Sequence, residues 1–231
     1  MKKLLPYLSL ILLLCSCQTT KQEKKQTEST KKEKSYEYQT KNIKNSQREY
    51  DVNISYPYFK DNETLNREIK SLILDPYQVF LEDAVLCFDE YPPELQLSLA
   101  YDATLQSMSE NDKFISLLFQ KYTFLGGAHG LTEMITVFYD KKKEKICGIE
   151  EASGLTLESV SKNCYNYFLT ELSKEEFSEL SWVQSGTEPD EDNFRAFTVS
   201  KDEKFMTVYF NPYSIGPYAI GIKEAVIKLK Q

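Results

Sequence analysis

The chain has 231 residues, 41% hydrophobic and 13% aromatic, which supplies one core of ordinary domain size and a tail but not a second full domain. Its net charge of −7 is unevenly divided: residues 18–49 hold nine Lys/Arg and five Glu, whereas residues 50–231 hold 17 Lys/Arg and 30 Asp/Glu. A body that acidic is not a nucleic-acid binder, because phosphate backbones demand cationic surface; it attracts cationic partners, or simply keeps the domain soluble.

The first segment reads as a targeting signal. Met1-Lys2-Lys3 is a short positive start, and Leu4 to Leu14 is mostly apolar but too short to span a bilayer. It ends in Leu14-Cys15-Ser16-Cys17, which resembles the bacterial lipobox, with Cys15 in a slot that more often holds Ala, Ser or Thr. Residues 1–17 are therefore expected to be a lipoprotein signal peptide, with Cys17 as the lipidated first residue of the mature protein. Acyl chains on Cys17 would anchor the protein to a membrane, since each buried methylene contributes about 0.8 kcal/mol. Which membrane is left open. Residues 18–35 contain no apolar side chain and are expected to form a disordered basic tether. The expected location is the cell envelope, outside the cytoplasm.

From Tyr36 to residue 231 the pattern is that of a single acidic domain. Tyr36 to Thr40 alternates and predicts a first, edge strand. Tyr50, Val52, Ile54 and Tyr56 share one face of a second strand that Pro57 is expected to close. Leu65, Ile69, Leu72 and Ile73 recur at helical spacing, and Asp75-Pro76-Tyr77-Gln78 reads as a cap followed by a new helix. Tyr77, Phe80, Leu81, Ala84, Val85 and Phe88 continue the stripe, so 62–90 predicts two consecutive helices or one kinked helix.

Beyond Pro92-Pro93, the alternation from Leu95 through Leu105, the run Lys113 to Leu125 and the run Leu131 to Tyr139 predict a three-stranded meander. Lys141 to Lys145 forms a charged hairpin tip before Ile146–Ile149. Thr156 starts a short helix, and Asn163 to Leu172 and Lys174 to Leu180 are helical. Ser185 to Asn193 reads as an acidic loop. Phe194–Val199 and Phe205–Phe210 form a hairpin, Asn211–Ala219 a loop, and Ile220–Leu229 a last strand or turn on the sheet. The sum is an α+β fold: an antiparallel sheet with helices packed on one side.

Candidate chemistry is sparse. The single histidine, His129, lies in Gly126-Gly127-Ala128-His129-Gly130, where glycines permit positive φ and close backbone approach. One histidine, with Asp140 beyond it, is too few ligands for a catalytic metal, and no nucleophile elbow or phosphate-binding loop is present. The sequence calls for no cofactor. Glu150-Glu151 and Asp190-Glu191-Asp192 lack the spacing of a calcium loop and read as solvated acidic segments. Cys87, Cys147 and Cys164 allow at most one disulfide, and no pair is preferred.

Two stretches carry a family resemblance. Lys121 to Gly130, followed by Val137-Phe138-Tyr139-Asp140, is the first; Phe210 to Gly221 is the second. Together they resemble the marks of an extracytoplasmic domain family that includes the ectodomain of the anti-sigma-V factor, a lysozyme receptor, and the non-catalytic N-terminal domain of a peptidoglycan deacetylase. Ser214, Gly216 and Phe138 stand where that family usually has Glu, Ala and Asn. The receptor's signalling and the deacetylase's metal chemistry are not expected to transfer. The resemblance implies binding rather than catalysis, with lysozyme, another cationic wall protein or glycan as partner. Gly126, Gly127, His129, Gly130, Asp140, Tyr213 and Tyr218 are the candidate contact residues. Two alternatives stand beside it: an envelope hydrolase using His129 and Asp140, and a purely structural surface lipoprotein in which both motifs only shape turns.

Overall fold

Tyr38–Ser46 (β1) and Tyr50–Phe59 (β2) form an antiparallel hairpin in the computed structural model, which describes residues 36–90, 92, 98–172 and 179–229. The expected signal peptide with Cys17, the tether, Leu95 and Leu97, and the start of the helix expected from Lys174 lie outside the described residues. The first strand runs six residues beyond Thr40. Lys41 to Ser46 shows no hydrophobic alternation because β1 lies at the sheet edge and is almost wholly exposed; backbone pairing to β2 is what chiefly shapes it. Pro57 does not close the second strand. The neighbour on its far side pairs only as far as Ser55, so at Pro57 the strand is locally an edge and the missing N–H leaves no ladder bond unmade.

Helix α1 (Glu63–Ile69) begins at Asn62, whose side chain accepts from the Leu65 N–H at 3.0 Å. Asn66 ties the helix to β2, receiving the Phe59 N–H at 2.9 Å and donating to its carbonyl at 2.7 Å. The chain then widens into a π turn, Lys70–Leu74, and continues directly as α2 (Asp75–Glu90). Asp75 is therefore not a cap; it is helical, and its N–H reaches back five residues to Lys70. Pro76 explains the widening, because a regular turn would drive its ring into the carbonyl four residues earlier. In the core, the Tyr101 hydroxyl donates to the Ile73 carbonyl at 2.7 Å. Tyr77, Phe80, Ala84 and Phe88 are buried as the stripe implies, but Val85 faces solvent at 49% exposure.

The helical crossover makes the next strand, β3 (Leu99–Glu110), parallel to β2, as such a connection permits and a hairpin does not. β4 (Phe114–Phe124) and β5 (Leu131–Asp140) complete the expected antiparallel meander, with a bulge between Leu105 and Ser107. A short β6 (Lys145–Ile146) ends the sheet, in the order β1-β2-β3-β4-β5-β6. Asn111 makes the β3–β4 turn by accepting from the N–H groups of Lys113 and Phe114.

Phe114 to Phe119 is buried without alternation because both faces of β4 are covered. Ile115, Leu117 and Phe119 join Val52, Ile54, Tyr101 and the α1–α2 stripe in one core. On the opposite face, Phe114 and Phe138 pack against a second, three-stranded antiparallel sheet: β7 (Phe197–Val199), β8 (Phe205–Phe210) and β9 (Lys223–Lys228). Each fully buried phenylalanine here, Phe194 and Phe210 among them, contributes about 1.5–3 kcal/mol before entropy is counted. The last strand thus docks on the small sheet, not the large one.

In the chain between the two sheets come α3 (Ile149–Ser153), ended by Gly154 at φ +68°, and α4 (Leu157–Leu172), a single helix where two pieces are expected. Val160, Cys164 and Phe168 of α4 close over the small sheet. Helix α5 (Leu180–Gly186) occupies the start of the expected acidic loop, and Phe194 is the buried last residue of an otherwise solvent-facing 3-10 turn, Glu191–Phe194, rather than the start of a strand. The α+β class holds, with α1 and α2 on one face of the large sheet. Among the described residues no helix is long and apolar enough to cross a membrane.

Candidate functional site

The two motif loops meet. The first joins β4 to β5. Gly126 and Gly127 sit at φ +100° and +90°, where a side chain would be strained, and they turn the chain so that His129 stands exposed. Gly130 is bare for another reason: a Cβ there would lie 2.4 Å from the Tyr122 ring. The second loop joins β8 to β9. Its first residue, Asn211, caps the open edge of β5, accepting from the Met134 N–H at 2.7 Å and donating to the Met134 carbonyl at 3.4 Å. Thr136 makes a matching clasp with Phe197, donating to its carbonyl at 2.6 Å and accepting from its N–H at 2.7 Å. Gly186 of α5 packs directly under the loop; a Cβ there would sit 2.0 Å from the Ser214 carbonyl oxygen.

These anchors bring three rings together. Tyr218 stacks on His129 with centroids 3.6 Å apart and planes 14° from parallel. Tyr213 stands 5.7 Å from Tyr218, and its hydroxyl lies 3.4 Å from His129 Nε2. The Gly130 carbonyl accepts from the Tyr218 hydroxyl at 3.0 Å and lies 3.0 Å from His129 Nδ1. A carbonyl only accepts, so Nδ1 is the donor to Gly130, and in the neutral ring Nε2 is then the acceptor for Tyr213. Tyr213 has φ +72°, a left-handed conformation that is a true outlier for a bulky residue, yet its side chain is 50% exposed. The neighbouring charged rung, Lys121–Glu133, is an ion pair at 2.8 Å on the strand face that carries Tyr101 and Ala103.

The structure does not bring Asp140 to this cluster. It ends β5 nine residues from Leu131, about 30 Å along an extended strand. There it shapes the Lys141–Lys145 tip by accepting from the N–H groups of Lys142 and Lys143, each at 2.8 Å. His129 and Asp140 therefore cannot share one substrate atom. The other acidic candidates are also committed locally. Glu150 accepts from the Leu157 N–H at 2.7 Å, and Asp190 from the Asp192 N–H at 2.9 Å. Lys145 at 2.7 Å, together with Cys147 and Lys143, holds the Glu151 carboxyl down to about 2. Among the described residues, no group of three or more His, Cys, Asp or Glu is arranged to hold a metal ion.

Cys87, Cys147 and Cys164 are free thiols. Burial pushes Cys147 up to about 11 and Cys164 up to about 12, so both stay protonated near neutral pH. What the cluster offers is ring faces and the hydrogen-bonding groups of His129 and Tyr213. Sequence reasoning found His129, Tyr213 and Tyr218 but missed Asn211, Thr136 and the packing role of Tyr122. Asn211 opens the second motif and Tyr122 lies in the first, so their positions were visible; their partners were not.

Comparison with known proteins matches the two halves separately. Residues 43–132 match the family described as deacetylase PdaC, and residues 155–230 match a family described as a protein of unknown function, DUF3298. The peptidoglycan-N-acetylmuramic acid deacetylase PdaC of Bacillus subtilis (strain 168) is 22% identical over 191 residues, covering 80% of this chain. The chain spans only 39% of that relative's length. Two crystal structures share the fold. A DUF3298 family protein from Pseudomonas aeruginosa PAO1 has a TM-score of 0.57 at 15% identity, covering 85% of this chain and 92% of its own. A DUF3298 member from Bacteroides fragilis NCTC 9343 has a TM-score of 0.55 at 14% identity, covering 84% and 90%. The family resemblance read from the two motifs is borne out. His129 lies in the first matched segment and Tyr213 and Tyr218 in the second, so the ring cluster forms where the two segments meet.

Proposed function

We propose that this chain, a PdaC-like segment followed by a DUF3298 segment, is a membrane-tethered, non-catalytic binding module of the cell envelope. Lipid on Cys17 would hold it outside the cytoplasm, and the cluster of His129, Tyr213 and Tyr218 would be its contact surface. The partners would be peptidoglycan-related: glycan itself, or a cationic wall protein such as lysozyme. One observation carries the reading. Two loops more than eighty residues apart in sequence are each held by close packing or side-chain hydrogen bonds, and together they present exposed and half-exposed rings, one on a strained backbone. Exposed rings held at a cost in backbone energy are expected where a ligand uses them.

The relative named as a peptidoglycan deacetylase supports the envelope setting, while its activity belongs to a protein of which this chain matches a minor part. The acidity of the body favours a cationic protein partner through on-rate. Hydrolysis by His129 with Asp140 draws no support from two groups at opposite ends of β5. The test is co-sedimentation of the full chain with purified cell-wall sacculi and, separately, capture of lysozyme. Retention in either assay that falls in Tyr213→Ala and Tyr218→Ala supports the module. Loss of neither ligand in those variants would return both motifs to a purely structural role. Membrane fractionation of Cys17→Ala checks the anchor: the variant should leave the membrane fraction, and persistence there would refute lipid attachment at that residue.

A further inference from the structure

We propose that the ligand of the ring cluster is an uncharged glycan, seated by stacking a pyranose face on Tyr213 and Tyr218, rather than a charged protein surface. This rests on the binding-module reading and names the class of ligand it takes.

The argument begins with charge. Residues 50–231 hold 17 Lys/Arg and 30 Asp/Glu, yet 125–130 and 211–222, the loops that build the cluster, contain none of these four residue types. The ion pair on the neighbouring rung, Lys121–Glu133, is internally matched and belongs to the strand face that carries Tyr101 and Ala103. The loops that carry the rings therefore bring no carboxylate of their own to a cationic protein. A site for a cationic partner would place carboxylates beside its aromatic anchors.

The polar inventory points the same way. The Tyr218 hydroxyl is committed to the Gly130 carbonyl, which also lies 3.0 Å from His129 Nδ1, so these two rings are held in place from beneath by one acceptor. The Tyr213 hydroxyl and His129 Nε2 are 3.4 Å apart, a long contact that a ligand hydroxyl could replace by accepting from the tyrosine and donating to the imidazole. A pyranose has that composition, an apolar C–H face rimmed by hydroxyls that donate and accept. Tyr213 and Tyr218, tilted by 41° at 5.7 Å, form an open angle and not a flat surface, which suits a chair-shaped ring. The left-handed backbone at Tyr213 holds its half-exposed ring in that position.

The experiment is titration of the full chain in detergent with the tetramer of N-acetylglucosamine, followed by calorimetry at about 0.05 and 0.5 M salt. Saturable binding that changes less than about twofold with salt, and weakens at least about tenfold in both Tyr213→Ala and Tyr218→Ala, is the expected result. Tyr213→Gly removes the ring while relieving the positive φ, so its loss of binding is read on a variant at least as well folded as the parent. No saturable binding of the tetramer, or binding that survives the tyrosine variants, overturns the glycan assignment. A parallel titration with lysozyme separates the two levels. Salt-sensitive lysozyme binding without tetramer binding defeats this inference and leaves the module reading standing. Failure of lysozyme, tetramer and sacculi alike defeats both.

Discussion

Asn211→Ala tests how the two matched segments are joined. The Asn211 amide is the partner of both backbone groups that Met134 turns to the open edge of β5, one at 2.7 Å and one at 3.4 Å. Removing it leaves an N–H and a C=O unpartnered beside buried Leu118, Met134 and Ala196. A net hydrogen bond contributes about 0.5–1.5 kcal/mol, and an orphaned buried group costs about 1–3 kcal/mol. The shorter bond counts in full and the longer one partly, and Asn211 itself is half-buried, so water offsets some of the loss. The expected cost is about 2 kcal/mol, a fall in melting temperature of roughly 4–8 °C for a body of this size. Thermal unfolding by circular dichroism reads the cost, and amide exchange at Met134 reads its cause. Because the same residue starts the Tyr213 loop, ligand affinity should fall as well. A melting point within about 1 °C of the parent, with the Met134 amide still protected, would refute the clasp as the element that holds the loop.

Three further outcomes follow from particular contacts. Tyr213→Gly should leave stability unchanged or raise it by about 1 kcal/mol, because an L-residue in left-handed backbone costs roughly 1–2 kcal/mol, and urea unfolding measures this independently of binding. Gly130→Ala should destabilise by about 1–3 kcal/mol because its Cβ would meet the Tyr122 ring at 2.4 Å; pairing it with Tyr122→Leu should recover part of the loss in the same assay. Glu151 has its folded pKa lowered from 4.5 to about 2, so its ion pairing contributes fully above pH 4.5 and is lost as pH falls through 2. An NMR carboxyl titration should show that low midpoint in the parent and a rise toward the ordinary range in Lys145→Ala; an unmoved midpoint would remove Lys145 as its main cause.

Much of the body was readable because local pattern and tertiary demand agree. The meander of β3, β4 and β5, the α1–α2 stripe and the β7–β8 hairpin all follow from period and turn residues. Where pattern and structure differ, the causes are distinct. β1 runs past its alternation because an exposed edge strand needs no apolar alternation. Pro57 lies inside a strand because the neighbouring strand has already ended there, which the local sequence does not show. Asp75-Pro76 has the letters of a helix start, but a π turn absorbs the proline inside a continuous helix.

For the candidate site, the sequence by itself determined the chemistry available: one histidine, glycines at two turns, paired Pro-Tyr steps, and loops free of charge in an acidic body. Those are properties of residue type, and they need no coordinates. Only the tertiary structure decided what stands together. It stacked Tyr218 on His129 and set Tyr213 beside them, while leaving Asp140 at the far end of β5. The reason is that proximity here is made by side-chain clasps between distant strands, Asn211 to Met134 and Thr136 to Phe197, whose partners lie 77 and 61 residues apart. Periodicity and spacing report only neighbours along the chain.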